Sequence, residues 1–126
     1  MTPDHISELF AQFRPVTVRR LFGGAGLYVD GLMFALVSRD VIYLKVDVAT
    51  RANFEREGSA PFSYQAKGGK RAIMSFWRMP ERLYDDPDEL AVWAEQALAV
   101  ARRSRDARPQ PTARVQRNTR KKRPKL

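Results

Sequence analysis

Gly26-Leu27-Tyr28-Val29-Asp30-Gly31-Leu32-Met33-Phe34-Ala35-Leu36-Val37-Ser38 decides the fold of this 126-residue chain. Two apolar runs flank Asp30-Gly31, and both central positions of a type I′ turn need positive φ, which aspartate tolerates and glycine adopts freely. The reading is a β-hairpin. Arg39-Asp40 then supplies a second turn, and Val41 to Val46 is a further strand, so the segment predicts a three-stranded antiparallel meander. Upstream, Val16 and Val18 alternate with polar neighbours into Arg19-Arg20-Leu21-Phe22, an extended approach to the Gly23-Gly24-Ala25-Gly26 bend.

Outside the meander the signals become helical at three places. Thr2-Pro3 reads as an N-cap followed by proline at the first helical position, with Ile6, Leu9, Phe10 and Phe13 at helical spacing until Arg14-Pro15. Asp47 is placed to cap a short helix running to about Glu57, with Gly58 as its stop. Pro61 to Tyr64 and Ala72 to Arg78 are two strands joined by Lys67-Gly68-Gly69-Lys70. In the second of them Ile73, Ser75 and Trp77 should face one way and Met74, Phe76 and Arg78 the other. Asp86-Pro87-Asp88-Glu89 is a helix start with a capping-box-like glutamate. Leu90, Trp93, Ala94, Ala97, Leu98 and Ala101 then form an apolar stripe that covers one sheet face and frays near Arg103. The predicted fold class is two-layer α+β, ordered helix, three strands, helix, two strands, helix, with an antiparallel sheet of five strands.

Charge divides the chain. Lys and Arg number 23 against 14 Asp and Glu, a net +9. Residues 102–126 hold eleven of the basic residues against Asp106 alone, whereas residues 1–101 hold 12 basic and 13 acidic side chains. The expected organisation is therefore a neutral domain over 1–101 and a basic tail over 102–126. From Arg105 onward the tail is too polar to offset its ordering entropy, and it is expected to be disordered in isolation. Its cations Arg114, Arg117, Arg120, Lys121, Lys122, Arg123 and Lys125 form a strip suited to polyphosphates through counterion release, with little sequence discrimination. The alternative for such a run is a solvated, solubilising extension.

Other chemistries find little support. There are no cysteines and His5 is the only histidine, so neither a thiolate nor a histidine-rich metal site can be assembled. No metal or cofactor is expected. Gly23-Gly24-Ala25-Gly26 follows a strand but is no dinucleotide fingerprint. Val29 stands where the third glycine belongs, and a strand follows instead of a helix. These glycines, with Asp30 and Gly31, are read as fold-determining: a bend where backbone passes close to backbone, then the hairpin turn. Asp85, Asp86, Asp88 and Glu89 are explained by the helix start they precede. No serine lies in a nucleophile elbow, so no catalytic residue is assigned and no enzyme is expected. Lys45 and Arg78 remain only as minor candidates, with Lys45 read as an outward strand position. Phe22, Tyr28, Phe34, Tyr43, Phe62, Tyr64, Phe76, Trp77 and Tyr84 populate the strands, where half or more are expected to be core and the others would suit base stacking beside cations. The balance of acids and bases within 1–101 argues against it. No signal peptide or apolar run near the roughly 18 residues of a membrane span is present, so a cytoplasmic location without membrane contact is expected.

Two groups of motifs are recognisable together. The first is Arg20-Leu21-Phe22-Gly23-Gly24-Ala25-Gly26-Leu27-Tyr28 with Asp30-Gly31, Phe34-Ala35 and Tyr43-Leu44-Lys45-Val46-Asp47. The second is Phe62-Ser63-Tyr64 with Met74-Ser75-Phe76-Trp77, Met79-Pro80-Glu81 and Asp88-Glu89-Leu90. Over about residues 10–101 the chain resembles the TfoX/Sxy N-terminal domain, a family whose two-domain members regulate DNA-uptake competence together with a transcription activator. The resemblance implies the α+β order above and supplies no catalytic residues. The second, helical domain of those regulators is not expected here, since residues 102–126 read as a basic tail. The expected role is a non-enzymatic regulatory accessory protein that docks on a protein partner, such as a transcription activator, or on a second copy, with the tail adding nonspecific nucleic-acid affinity. The alternative is a small protein-interaction or adaptor module whose tail only solubilises.

Overall fold

A computed structural model describes residues 1–21 and 23–107. Helix α1 (Pro3–Leu9) starts where Thr2 Oγ1 accepts from the His5 N–H at 3.1 Å, with Pro3 at its first position. Four strands follow: β1 (Thr17–Leu21), β2 (Gly24–Val29), β3 (Leu32–Ser38) and β4 (Val41–Lys45). Then come α2 (Arg51–Arg56), β5 (Pro61–Ala66), β6 (Gly69–Arg78), a 3-10 turn at Glu81–Asp85 and α3 (Pro87–Ala107). All neighbouring strands are antiparallel, in the order β1-β2-β3-β4-β6-β5. The fold is α+β with its helices packed on a sheet.

The sheet has six strands where the sequence suggested five. The segment expected only to approach the bend is itself a strand. It folds back on β2 through Gly23 (φ +82°), pairing from Thr17 with Tyr28 to Leu21 with Gly24. The two later turns are as expected: Asp30 and Gly31 have φ of 52° and 78°, and Arg39 and Asp40 have 50° and 62°. Positive φ at both central positions is what matches a two-residue loop to the twist of the strands it joins. Arg39 and Asp40 reach that geometry without glycine, and the Asp40 carboxylate is held by the N-terminal ammonium group.

One face of the sheet is the core. Leu27, Ala35, Leu44 and Trp77 are cross-strand neighbours in a single row and all four are buried. Every helix packs on that face or on its neighbours. Phe10, just after α1, meets Phe34 edge-on at 5.5 Å, Phe54 of α2 meets Trp77 at 6.4 Å and Trp93 of α3 at 4.9 Å, and Leu90, Ala94 and Leu98 of α3 are fully buried. Such burial of apolar area, at about 25 cal/mol per Å2, is the main stabilising term. Phe34 sits at a bulge: Leu27 pairs with Ala35 and Tyr28 with Met33, leaving Phe34 without a cross-strand partner. Phe34 and Ala35 are consecutive and both belong to the core, which the bulge allows by interrupting the alternation of faces.

A larger irregularity corrects the alternation expected in β6. Pro61 pairs with Trp77, but its neighbour Phe62 pairs with Ile73, so Met74, Ser75 and Phe76 are extra on β6. Trp77 Nε1 donates to the Met74 carbonyl at 2.9 Å across this bulge. Ile73 and Trp77, expected on one face, therefore lie on opposite faces.

Helix boundaries also shift. Asp47 does not cap α2 directly; its Oδ1 accepts from the Thr50 N–H at 3.1 Å in a preceding turn, and the helix begins at Arg51. Gly58, at φ +72°, follows the helix end. Asp86 Oδ1 accepts from the Glu89 N–H at 3.1 Å, the expected cap of α3. The Glu89 side chain does not close the box, because Arg82 takes it. Helix α3 runs through Ala107, past the expected fraying near Arg103, with Val100 and Ala101 still buried and Arg103 bonded to Asp47 at 2.8 Å. Among the described residues no helix is long and apolar enough to cross a membrane.

Candidate functional site

Strand β4 shows how the two faces differ: Ile42 and Leu44 are buried, while Val41, Tyr43 and Lys45 between them are only half-buried. Following Tyr43 across the sheet gives the row Arg19, Gly26, Leu36, Tyr43 and Arg78. This is the face the helices leave uncovered. On it the Arg19 guanidinium lies 5.4 Å from the centre of the Tyr28 ring, and Lys45 Nζ lies 4.9 Å from that of Phe76, both within cation–π range.

The β5–β6 hairpin turns this face into a groove. The bulge at residues 74–76 sets Phe62 beside Tyr43, ring centres 4.8 Å apart, and Tyr64 follows Phe62 in a near-parallel stack at 6.1 Å. A concavity of about 1150 Å3 results, lined by Tyr43, Phe62, Tyr64 and Ile73, with Arg39 and Lys70 also in its wall. Tyr64 is 45% exposed, unusual for a large ring in a strand.

Charge sorts by layer. The strands and their turns, residues 17–45 and 61–78, carry eight basic and two acidic side chains, a net of +6. The helical remainder of residues 1–101 carries four basic and eleven acidic ones, a net of −7. The overall neutrality read from the sequence conceals a polarised domain, basic on the sheet and acidic on the helices. From residue 58 to residue 80 there is no acid at all.

The arginine–carboxylate pairs lie in the helical layer and are structural. Arg82 forks to Glu57 (2.7 Å) and Glu89 (2.8 Å), and its hydrogen bonds hold both carboxyls below their ordinary range. Burial works against ionisation of Asp47, but the Arg103 guanidinium and the Thr50 donors outweigh it and its carboxyl is depressed. Arg14 pairs with Glu95 through two bonds, at 2.9 and 3.1 Å. Burial pushes the Tyr84 phenol up, while its oxygen accepts from the Ile42 N–H. Among the described residues no three His, Asp or Glu side chains converge as metal ligands.

Of the residues singled out from sequence, the glycine motif and the hairpin turn lie within the described residues and the tail cations do not. Gly23 to Gly26 form the β1–β2 turn and the start of β2, and Asp30 and Gly31 form the β2–β3 turn at its other end. At Gly24 an added Cβ would stand 2.2 Å from the Val37 carbonyl oxygen, whereas at Gly26 it would meet side-chain atoms of Leu21 and Tyr28 at 2.9 Å. The tail cations Arg114, Arg117, Arg120, Lys121, Lys122, Arg123 and Lys125, like Phe22, lie outside the described residues. The groove residues Tyr43, Phe62, Tyr64 and Lys70 were not assembled from sequence. The missing signal was the charge sum taken strand by strand, which needs only the strand boundaries.

Comparison with curated proteins gives no match. The model of the TfoX N-terminal domain matches residues 8–101, from within α1 to the buried Ala101 of α3. The span takes in the whole sheet, α2 and most of α3, and on that match the chain belongs to the TfoX N-terminal domain family.

Proposed function

We propose that this chain is a non-enzymatic regulatory accessory protein. Its folded domain docks on a protein partner of the transcription machinery, and its basic tail adds nonspecific affinity for DNA in the cytoplasm. The observation that carries the reading is the charge partition, a net of +10 over residues 102–126 against −1 over residues 1–101. Cations concentrated in one segment release counterions from a polyphosphate and give affinity without base recognition. Family membership supports the regulatory half, since this is not a known enzyme family and its two-domain relatives are tied to DNA-uptake competence. The ion pairs around Arg82 and Asp47 support it further, because the depressed carboxylates Glu57, Glu89 and Asp47 each have a structural partner.

The test is fluorescence anisotropy on duplex DNA with the full chain and with a full-length variant in which Arg117, Arg120, Lys121, Lys122 and Arg123 are glutamine. If those five cations engage phosphates, log affinity of the native chain falls with log salt at a slope near −4.5, about 0.9 per cation. Duplex binding disappears in the variant. A variant that binds duplex as tightly as the native chain overturns the assignment to the tail. Nuclease-insensitive capture of a single acidic protein would support the alternative, an adaptor whose tail only solubilises or meets that partner.

A further inference from the structure

The helix-free sheet face combines three features that the proposed tail function does not use. It is concave, with a groove of about 1150 Å3 between the β5–β6 hairpin and the rest of the sheet. It is aromatic, with Tyr43, Phe62 and Tyr64 in one contiguous set and Tyr28 farther along the same face. It is also basic: Arg39 and Lys70 line the groove, and Arg71 is the cross-strand partner of Tyr64. Arg78 is that of Tyr43, and Arg19 stands over Tyr28.

Each feature narrows the occupant. An aromatic, apolar groove alone would suit a second copy of this chain, but two such faces brought together would oppose layers of net +6. An anion alone would need no rings. A duplex keeps its bases stacked inside and offers only phosphates to such a surface, so the exposed rings would go unused. A single strand presents bases whose faces stack on aromatic side chains, together with phosphates at its rim, and this stacking tolerates any sequence.

We propose that the free sheet face is a platform for single-stranded nucleic acid, with Tyr64, Phe62 and Tyr43 taking base faces and Arg39, Lys70 and Arg71 taking phosphates. The platform is separate from the tail in position and in the form of nucleic acid it takes, so it stands or falls independently of the tail's affinity for duplex. The acidic residues of the domain do not oppose it. Eleven of the thirteen belong to the helical layer, and of the two on sheet turns, Asp40 is neutralised by the N-terminus.

The experiment separates face from tail by using the full chain with the seven cations beyond Arg108 (Arg114, Arg117, Arg120, Lys121, Lys122, Arg123 and Lys125) changed to glutamine. Binding of a labelled twelve-nucleotide thymidine strand and of an abasic strand of equal length is followed by anisotropy. The expected result is that this chain still binds the thymidine strand and prefers it to the abasic one. Adding Tyr64→Ala weakens thymidine binding about tenfold, the effect of losing one stacked base, and leaves the abasic strand unaffected. Tyr64→Phe retains binding, because the ring and not the hydroxyl does the stacking. Lys70→Gln with Arg71→Gln weakens both strands and flattens the salt slope by about 1.4, at 0.7 per phosphate contact. Tyr64 is half-exposed and Lys70 and Arg71 exposed, so these variants keep the core intact. No thymidine binding by the tail-neutralised chain overturns the proposal. So does a Tyr64→Ala change that alters self-association but not thymidine affinity, which would make the face a contact between copies.

Discussion

The Tyr84 hydroxyl accepts a hydrogen bond from the Ile42 backbone N–H at 2.9 Å, while the Ile42 carbonyl accepts from the Met79 N–H at 2.9 Å. Ile42 is fully buried in β4, and its neighbour β6 ends at Arg78 with Pro80 two residues on. The chain leaves the sheet there, and a side chain from the 3-10 turn takes the place of a strand partner. A buried N–H without an acceptor costs about 1–3 kcal/mol. Tyr84→Phe, which removes only the oxygen, should lower stability by about that much in urea unfolding, with an unchanged m-value. Stability equal to that of the native protein would mean that water reaches Ile42.

Gly24 and Gly26 belong to one glycine-rich bend but should respond differently to alanine. At Gly24 the new methyl would strike a backbone oxygen, that of Val37, so β2 and β3 must part. At Gly26 the obstacles are the side-chain ends of Leu21, Tyr28 and Met33, which can rotate away. Gly24→Ala is expected to cost at least about 1–3 kcal/mol, the usual range for overpacking, and Gly26→Ala distinctly less. Thermal unfolding of the two variants side by side checks the order, and the reverse order would contradict the close approach at Gly24.

The α3 start rests on Asp86 rather than on a reciprocal capping box, because the Glu89 carboxylate is bound by Arg82 and by Trp93 Nε1. Asp86→Ala should therefore cost about 1 kcal/mol, typical of a lost N-cap. Glu89→Gln should instead weaken the tie between α3 and the Arg82 turn while leaving the cap in place. Amide hydrogen exchange separates the two: faster exchange at Glu89 N–H and its neighbours for the first, and none confined to the helix start for the second.

Acid should destabilise the domain through identifiable carboxylates. Glu57, Glu89 and Asp47 are held below their ordinary values of 4.5, 4.5 and 3.8 by Arg82 and Arg103. A carboxyl depressed in the folded state contributes its stability above the unfolded value and loses it as pH falls through the folded one. The melting temperature should thus be flat near neutrality and fall below about pH 4.5. Arg82→Met should make that acid limb shallower, since Glu57 and Glu89 then titrate nearly as they do in the unfolded chain. Parallel acid limbs for the two proteins would remove Arg82 as the cause.

What the sequence by itself determined were the features that a few consecutive residues settle. Asp30-Gly31 turns the chain because its φ preferences are local, Thr2-Pro3 and Asp86-Pro87 start helices because a cap acts within one turn, and the β4 alternation follows from the two-residue period of a strand. The ordered motifs around them were enough to identify the family over nearly the whole domain. What only the tertiary structure decided depends on partners distant in the chain. That β1 is a strand rests on β2 lying beside it. That Ile73 and Trp77 face opposite ways rests on three extra residues opposite the step from Pro61 to Phe62, which no periodicity within β6 reveals. The groove exists because that bulge sets Phe62 against Tyr43, nineteen positions away in sequence. Charge stands between the two: a sum over residues 1–101 comes to −1, and its division into basic strands and acidic helices shows only once the strand boundaries, β1 among them, are known. Local geometry is written in short stretches of sequence, whereas a surface is made of residues that meet only after the strands have paired.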